Sequence, residues 1–407
     1  MKRRTLEEIT ALDRDDPLRE KRSAFEIPED VIYLDGNSLG VLPKAVPALM
    51  DTVVTQQWGD SLIRGWSEHG WMDLPSRVGN KIGRLIGAQP GTVIVADSTS
   101  VNLFKLLAAA LALRPRRKVI LSDSGNFPTD LHIAQGLRDL LERNHELRLV
   151  APDKIEGAID ESVAVLMLTE VDYKTGFKHD MARLTGSAHN AGALTLWDLA
   201  HSAGAFPVDL TAAKVDFAVG CGYKYLNGGP GAPAFLYIAP KYQNKVIPSL
   251  SGWMGHQAPF DFDLEYHPAA GIECMRVGTP PVLSLSALDC ALDVYADVDM
   301  LDIRQKSVAL CELFISEVEA RCAELQLASP RNADARGSQV SFRYDYGCSL
   351  IKALSVRGVI GDFRPPDIIR FGFTPLYHSY MDVFRAAEIL EETIPTGYHI
   401  QSNKGRS

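Results

Sequence analysis

Between about Lys44 and Ile238, short apolar runs alternate with longer stretches of helical period. The apolar runs span 118–122, 147–150, 163–169, 193–198, 215–220 and 234–238. They are rich in Val, Ile and Leu and almost unbroken by polar residues, the pattern of strands buried on both faces. Between them, 99–113 and 128–143 carry apolar residues at helical spacing. Alternation of this kind predicts an α/β domain whose mostly parallel sheet is sandwiched by helices.

After about residue 284 the texture changes. Helical patterns over 284–296 and 301–325 are followed by a strand at 339–343, a helix at 349–357, a strand at 367–371 and a last helix at 381–392. This predicts a smaller α+β domain. The expected division is an N-terminal arm, 1–43, packing beside the small domain, a large domain over 44–283, and the small domain over 284–407.

Composition narrows the class. The chain has 407 residues, 46% of them apolar and 23% charged, enough to bury a large core without disulfides or metal staples. The 42 basic and 51 acidic residues leave a net charge of −9, which argues against a broad nucleic-acid or anionic-membrane surface. The short basic runs Lys2-Arg3-Arg4 and Arg114-Pro115-Arg116-Arg117-Lys118 are expected to be solvated. No run of about 18 apolar residues exists to span a membrane, and the basic opening has no apolar run behind it, unlike a secretory signal. Six cysteines without a C-x-x-C pair fit reduced thiols in a cytosolic enzyme. The histidines show no H-E-x-x-H, so no metal site is expected.

Four segments carry candidate chemistry. In Gly220-Cys221-Gly222-Tyr223-Lys224-Tyr225-Leu226-Asn227-Gly228-Gly229-Pro230-Gly231, a strand runs into a glycine-flanked turn with a single lysine. A lysine just past a buried strand of an open sheet points into the ligand crevice; the alternative is a surface lysine on a glycine-rich loop. Gly229 to Ala234 formally fits G-x-G-x-x-G/A, but two prolines interrupt it and a strand-like run follows, so a dinucleotide fingerprint is rejected.

In Leu194-Thr195-Leu196-Trp197-Asp198, an apolar strand ends on a carboxylate. Such a buried Asp meets a cation or ligand, or else caps a helix. Asp97-Ser98-Thr99-Ser100 opens an amphipathic helix, where free N–H groups and hydroxyls form a phosphate site. Plain capping is the alternative, and three hydroxyls exceed what one cap needs. In Ser124-Gly125-Asn126-Phe127-Pro128-Thr129-Asp130, Pro128 suits a first helical position. Phe127 is left on the preceding turn, either to stack on a flat ligand or to staple the helix. Together these pieces suit pyridoxal phosphate, which needs a lysine for a Schiff base, a carboxylate for its pyridine nitrogen, an anion site and a stacking ring.

These segments, with Leu34-Asp35-Gly36-Asn37-Ser38-Leu39-Gly40, Asp198-Leu199-Ala200-His201-Ser202-Ala203-Gly204, Gly252-Trp253 and Arg370-Phe371-Gly372-Phe373-Thr374-Pro375-Leu376-Tyr377, resemble fold-type-I pyridoxal-phosphate enzymes of the class V aminotransferase group. Within that group the resemblance is to the kynureninases, and it covers nearly the whole chain. It implies that Lys224 holds the cofactor, that Asp198 holds the pyridinium with His201 close by, and that Phe127 stacks on the ring. Asp130 matches a nearby cofactor contact, and Thr169, on a strand end beside the ring, is a further candidate; Thr99, Ser100, Tyr223, Trp253 and Thr279 match groups around the phosphate, the last two expected from the partner subunit of a homodimer. Arg370, with Ser38, matches the grip on the substrate α-carboxylate, an anion that suits a bidentate fork.

The implied reaction is hydrolytic Cβ–Cγ cleavage of L-kynurenine to anthranilate and L-alanine, in tryptophan degradation. Tyr223 is the candidate for proton transfer to Cβ, with phosphate binding alone as its other role. Vertebrate members carry Asn where Thr279 stands, which leans this chain toward kynurenine over the 3-hydroxy form. A cysteine desulfurase or a plain aminotransferase of the same fold are the alternatives. Desulfurases usually have His where Tyr223 precedes the lysine, and need a nucleophilic Cys in a mobile loop; Cys348 opens a helix and is expected to be an ordinary buried thiol. A non-catalytic relative would be expected to lose the lysine, the aspartate or the arginine, and all three are present.

Overall fold

A computed structural model describes residues 3–141 and 143–394. Its centre is a seven-stranded sheet: β1 (Val93–Val95), β2 (Val119–Asp123), β3 (Glu146–Val150), β4 (Val163–Thr169), β5 (Leu194–Asp198), β6 (Phe217–Gly220) and β7 (Phe235–Ile238). The spatial order is β1-β7-β6-β5-β4-β2-β3, with β7 antiparallel to both neighbours and the remaining pairs parallel. Six of the seven strands coincide with the apolar runs. The seventh, β1, is a three-residue Val-Ile-Val piece too short to stand out as a pattern.

Successive residues of β4 point to opposite faces, as pleating requires. Leu166 and Leu168 join one buried cluster with Val78, Ile82 and Trp197. Val165 and Met167 join another with Leu103, Leu107 and Phe217. Helices α1 (Leu6–Arg14), α2 (Ala45–Thr52), α3 (Leu74–Leu85), α4 (Thr99–Leu113), α5 (Pro128–Leu141) and α6 (Met181–Asn190) precede or interleave with these strands. Pro128 is the first residue of α5, where its missing N–H costs nothing.

Beyond the sheet come α7 (Val282–Ala291), α8 (Met300–Arg321), α9 (Gly347–Val356) and α10 (Tyr380–Thr393). The expected helix over 284–296 ends sooner, passing into a 3-10 turn at Leu292–Tyr295. A second, antiparallel sheet is built from β8 (Gln326–Leu327), β9 (Gln339–Arg343), β10 (Asp362–Arg364) and β11 (Ile368–Gly372), in the order β10-β11-β9-β8. Phe314 of α8 meets Phe342, Phe371 and Phe373 in its core.

The N-terminal arm is tied to this second unit. Ile32–Tyr33 pairs in parallel with Val359–Ile360. Asp13 accepts the backbone N–H groups of Tyr380 and Met381, at 2.7 and 3.0 Å, at the start of α10. The arm then crosses to the lysine loop, where the Gly40 N–H donates to the Tyr223 carbonyl at 2.8 Å. A Cβ on Gly40 would sit 2.3 Å from the Lys224 carbonyl oxygen, so only glycine permits this approach.

Two expectations are corrected. Cys348, in the first turn of α9, is exposed, not buried. The second basic run is not simply solvated: Arg114 and Arg117 each donate to a backbone carbonyl, of Gly192 and Val163, at 3.0 Å.

Candidate active site

Parallel strands bring their carboxyl ends to one side, where Thr169 and Asp198 end β4 and β5 and Phe127 and Lys224 follow β2 and β6. Lys224 lies four residues past β6, and its Nζ is 3.0 Å from His201 Nε2. His201 is buried, and its Nδ1 has no hydrogen-bond partner among the described residues. Burial, reinforced by the charge of Lys224, holds this imidazole well below its ordinary pKa, so it is neutral.

Asp198 ends β5. Its Oδ1 accepts the Ala200 N–H at 2.8 Å, and turns rather than a helix follow, so it is not a helix N-cap. Burial pushes its carboxyl above the ordinary range, while Lys224 pulls the other way. It is 5% exposed and forms no ion pair within 4.0 Å among the described residues. A cationic ring nitrogen would match a buried carboxylate in that state.

Thr169 stands opposite Asp198 in the β4–β5 register. Its hydroxyl bonds to Asn126 and, at 3.2 Å, to Asp130. Burial, then repulsion from Asp198, drives the Asp130 carboxyl well up. Phe127 keeps 39% of its surface exposed and meets Tyr173 edge-on at 5.1 Å.

A cleft of about 600 Å³ opens between the start of α4 and the lysine loop, lined among others by Leu39, Ser98, Thr99, Cys221, Tyr223 and Pro281. Ser98 caps α4 by accepting the Val101 N–H at 3.3 Å. The earlier N–H groups of the first turn have no intrahelical partner, which makes this end a ready anion site. Ser100 shares that turn but lies outside the cleft lining. Burial raises the Tyr223 phenol far above its usual pKa, keeping it protonated.

Arg370 sits on β11 and is 1% exposed. It donates to the Tyr173 carbonyl at 2.7 Å, to Ser38 Oγ at 2.8 Å and to Asp362 Oδ2 at 2.5 Å. The same Asp362 oxygen is 2.8 Å from Arg364 Nε. Tyr173 therefore joins the two halves of the site, its ring on Phe127 and its carbonyl on Arg370.

Trp253, 43% exposed, and Thr279, also exposed, lie on the surface outside the cleft lining. Sequence reasoning missed Asn126, Tyr173 and Asp362. Asn126 stood inside a highlighted segment; the other two gave no local signal. The gathered set fits pyridoxal phosphate: an amine beside a neutral acceptor, an uncompensated buried carboxylate, an exposed ring face and a helix N-terminus on a cleft.

The chain is similar to known proteins over nearly its whole length. Residues 303–390 match the kynureninase C-terminal domain family. The chain is 51% identical to a kynureninase from Pseudomonas fluorescens, over 96% of this chain and 95% of that relative. It is also 51% identical to one from Burkholderia pseudomallei (strain 1106a), over 97% and 96%. Among solved structures, the apo cysteine desulfurase from Thermococcus onnurineus NA1 aligns with a TM-score of 0.75 at 20% identity, covering 96% of this chain and 98% of its own. A variant of C-DES with glycine covalently linked to its PLP cofactor aligns with a TM-score of 0.77 at 16% identity, covering 91% and 99%. These two share the fold, an α/β sheet of the fold-type-I kind, whereas the full-length sequence identity identifies the family. The chain belongs to the kynureninase family.

Proposed function

We propose that this chain hydrolyses the Cβ–Cγ bond of L-kynurenine, releasing anthranilate and L-alanine, with pyridoxal phosphate held on Lys224. The observation that carries the reading is that the arm joins the arginine to the lysine loop: Ser38 Oγ accepts from Arg370 at 2.8 Å, and two residues on the Gly40 N–H donates to the carbonyl of Tyr223, the neighbour of Lys224, at 2.8 Å. An amine for the cofactor and a fork for an α-carboxylate are thus held by one short stretch of the arm. The bound cofactor supplies an electron sink conjugated to the substrate's α-carbon.

The residues divide the remaining work. Arg370 and Ser38 hold the α-carboxylate, which takes the place of Asp362 on the guanidinium while Asp362 stays with Arg364. Lys224 Nζ removes the α-proton, and His201 accepts a hydrogen bond from that amine. Asp198 keeps a proton on the pyridine nitrogen by its negative charge. Phe127 stacks on the ring, with Asp130 and Thr169 beside it. Thr99 and Tyr223, which line the cleft, would hold the phosphate together with Ser100 of the same helical turn, and the protonated Tyr223 phenol delivers a proton to Cβ.

Trp253 and Thr279 complete the phosphate site of a second copy in a homodimer, in keeping with their exposure. The exposed apolar side chains Trp58, Ile63, Phe260 and Phe262 supply surface for such a contact. The arm 1–43, large domain 44–283 and small domain 284–407 are the proposed units, with the active site between them. Six unpaired thiols suit a cytosolic setting. No helix among the described residues is long and apolar enough to cross a membrane.

A desulfurase would place its nucleophile on a loop, whereas Cys348 lies in the first turn of α9. Incubation of the protein with pyridoxal phosphate and L-kynurenine should release fluorescent anthranilate and equimolar alanine. A cofactor-loaded protein that released none, or that released sulfide from cysteine instead, would overturn the reading.

A further inference from the structure

Lys105 is 0% exposed, an unusual place for a lysine. It lies in the second turn of α4, six residues after Thr99. Helical side chains lean toward the N-terminus. The ammonium of Lys105 accordingly reaches back under the first turn, donating to Asp97 Oδ2 at 2.7 Å and to the Met275 carbonyl at 2.8 Å.

This position is costly. A buried ammonium loses its hydration, and the N-terminal end of a helix repels cations. Asp97 offsets part of that cost, but it brings a difficulty of its own. Asp97 lines the cleft beside Ser98 and Thr99, with its backbone in the left-handed region at φ 51°. Its carbonyl is pinned by the Ala234 N–H at 2.9 Å. A carboxylate is thus fixed at the mouth of a site that should attract an anion. Without Lys105, its charge would oppose a phosphate. With Lys105, the pair is neutral, and the helix end and hydroxyls set the sign of the field in the cleft.

We propose that Lys105 is a positioning residue for the phosphate site: it neutralises and anchors Asp97 and ties the start of α4 to Met275, so that the cleft accepts a phosphate dianion. The contact to Met275 also fixes the segment that runs on to Pro281, which lines the same cleft. This proposal rests on the reading that the cofactor phosphate sits at the start of α4.

The test compares binding of pyridoxal phosphate with that of pyridoxal, which lacks the phosphate, by absorbance titration of cofactor-stripped protein. Lys105→Met should weaken pyridoxal phosphate tenfold or more relative to pyridoxal. Adding Asp97→Asn to that variant should recover most of the loss, which a merely structural role would not predict. Asp97→Asn alone should tighten pyridoxal phosphate relative to pyridoxal, and it decides the question if Lys105→Met does not fold. Equal weakening of both ligands by Lys105→Met, or an unchanged ratio in Asp97→Asn, would overturn the proposal. Thr99→Val is the control for the reading beneath it. If Thr99→Val also leaves the ratio unchanged, the phosphate is elsewhere and both fall; if it lowers the ratio while Lys105→Met and Asp97→Asn leave it unchanged, only the role of Lys105 falls.

Discussion

Lys224 Nζ and His201 Nε2 lie 3.0 Å apart, and the imidazole in that contact is neutral because it is buried next to a cation. A neutral ring nitrogen can accept a hydrogen bond from the lysine that a protonated one could not. His201→Phe keeps a flat ring of similar size and removes the acceptor. A hydrogen bond to a charged group contributes roughly 1.5–3 kcal/mol. The variant should therefore lose about 10- to 100-fold in kcat/KM for kynurenine, read from the rate of anthranilate fluorescence.

The carboxylate grip makes a paired prediction. Arg370 is held by Asp362 at 2.5 Å when no substrate competes. Arg370→Lys keeps the charge but loses the fork, and should raise KM for kynurenine by about tenfold or more. Asp362→Asn removes the competing charge, so steady-state kinetics should show a lower KM. A higher KM in Asp362→Asn would mean that Asp362 orients Arg370 rather than competing for it.

Glu170 makes the pH prediction. It is 6% exposed, one carboxylate oxygen has no hydrogen-bond partner among the described residues, and burial pushes its pKa up to about 7. In the unfolded chain a glutamate titrates near ~4.3. Below that value the group is protonated in both states and costs nothing. As pH rises from about 4.3 to about 7, the unfolded chain gives up this proton while the buried carboxyl keeps it, so stability falls by on the order of 3 kcal/mol and levels off once the buried group ionises. Glu170→Gln should therefore melt about 3 °C above the parent at pH 8, with the difference vanishing near pH 4.5. A constant difference across that range would point to packing instead of charge.

Cys348 separates the two chemistries of this fold. It is exposed, so a thiol reagent should label it ahead of the buried Cys221, Cys274, Cys311 and Cys322. Cys348→Ser should abolish that fast labelling and leave anthranilate release within about twofold of the parent, as for other surface substitutions. Loss of turnover would return a cysteine nucleophile to consideration.

The sequence made the sheet legible wherever burial on both faces left long apolar runs, as at β4 and β5. It hid β1, whose three residues make no pattern, and the reversed direction of β7, because local sequence does not encode strand direction. Strand-end position was enough to single out Asp198, which ends β5, and Lys224, four residues past β6. The contact of Arg370 with Ser38 joins residues 332 positions apart and came only through family motifs. Tyr173 and Asp362 act through a backbone carbonyl and a cross-strand pair, which no spacing announces. The exposure of Cys348 depends on which face of α9 meets the small sheet, and that is settled by packing alone.

The covalent seat of the cofactor is the most direct test of the account. Borohydride reduction of the pyridoxal-phosphate-loaded protein, followed by proteolysis and mass spectrometry, should place the pyridoxyl group on the peptide containing Lys224, and Lys224→Ala should carry no label and release no anthranilate. Label on any other lysine, or full turnover by Lys224→Ala, would contradict it.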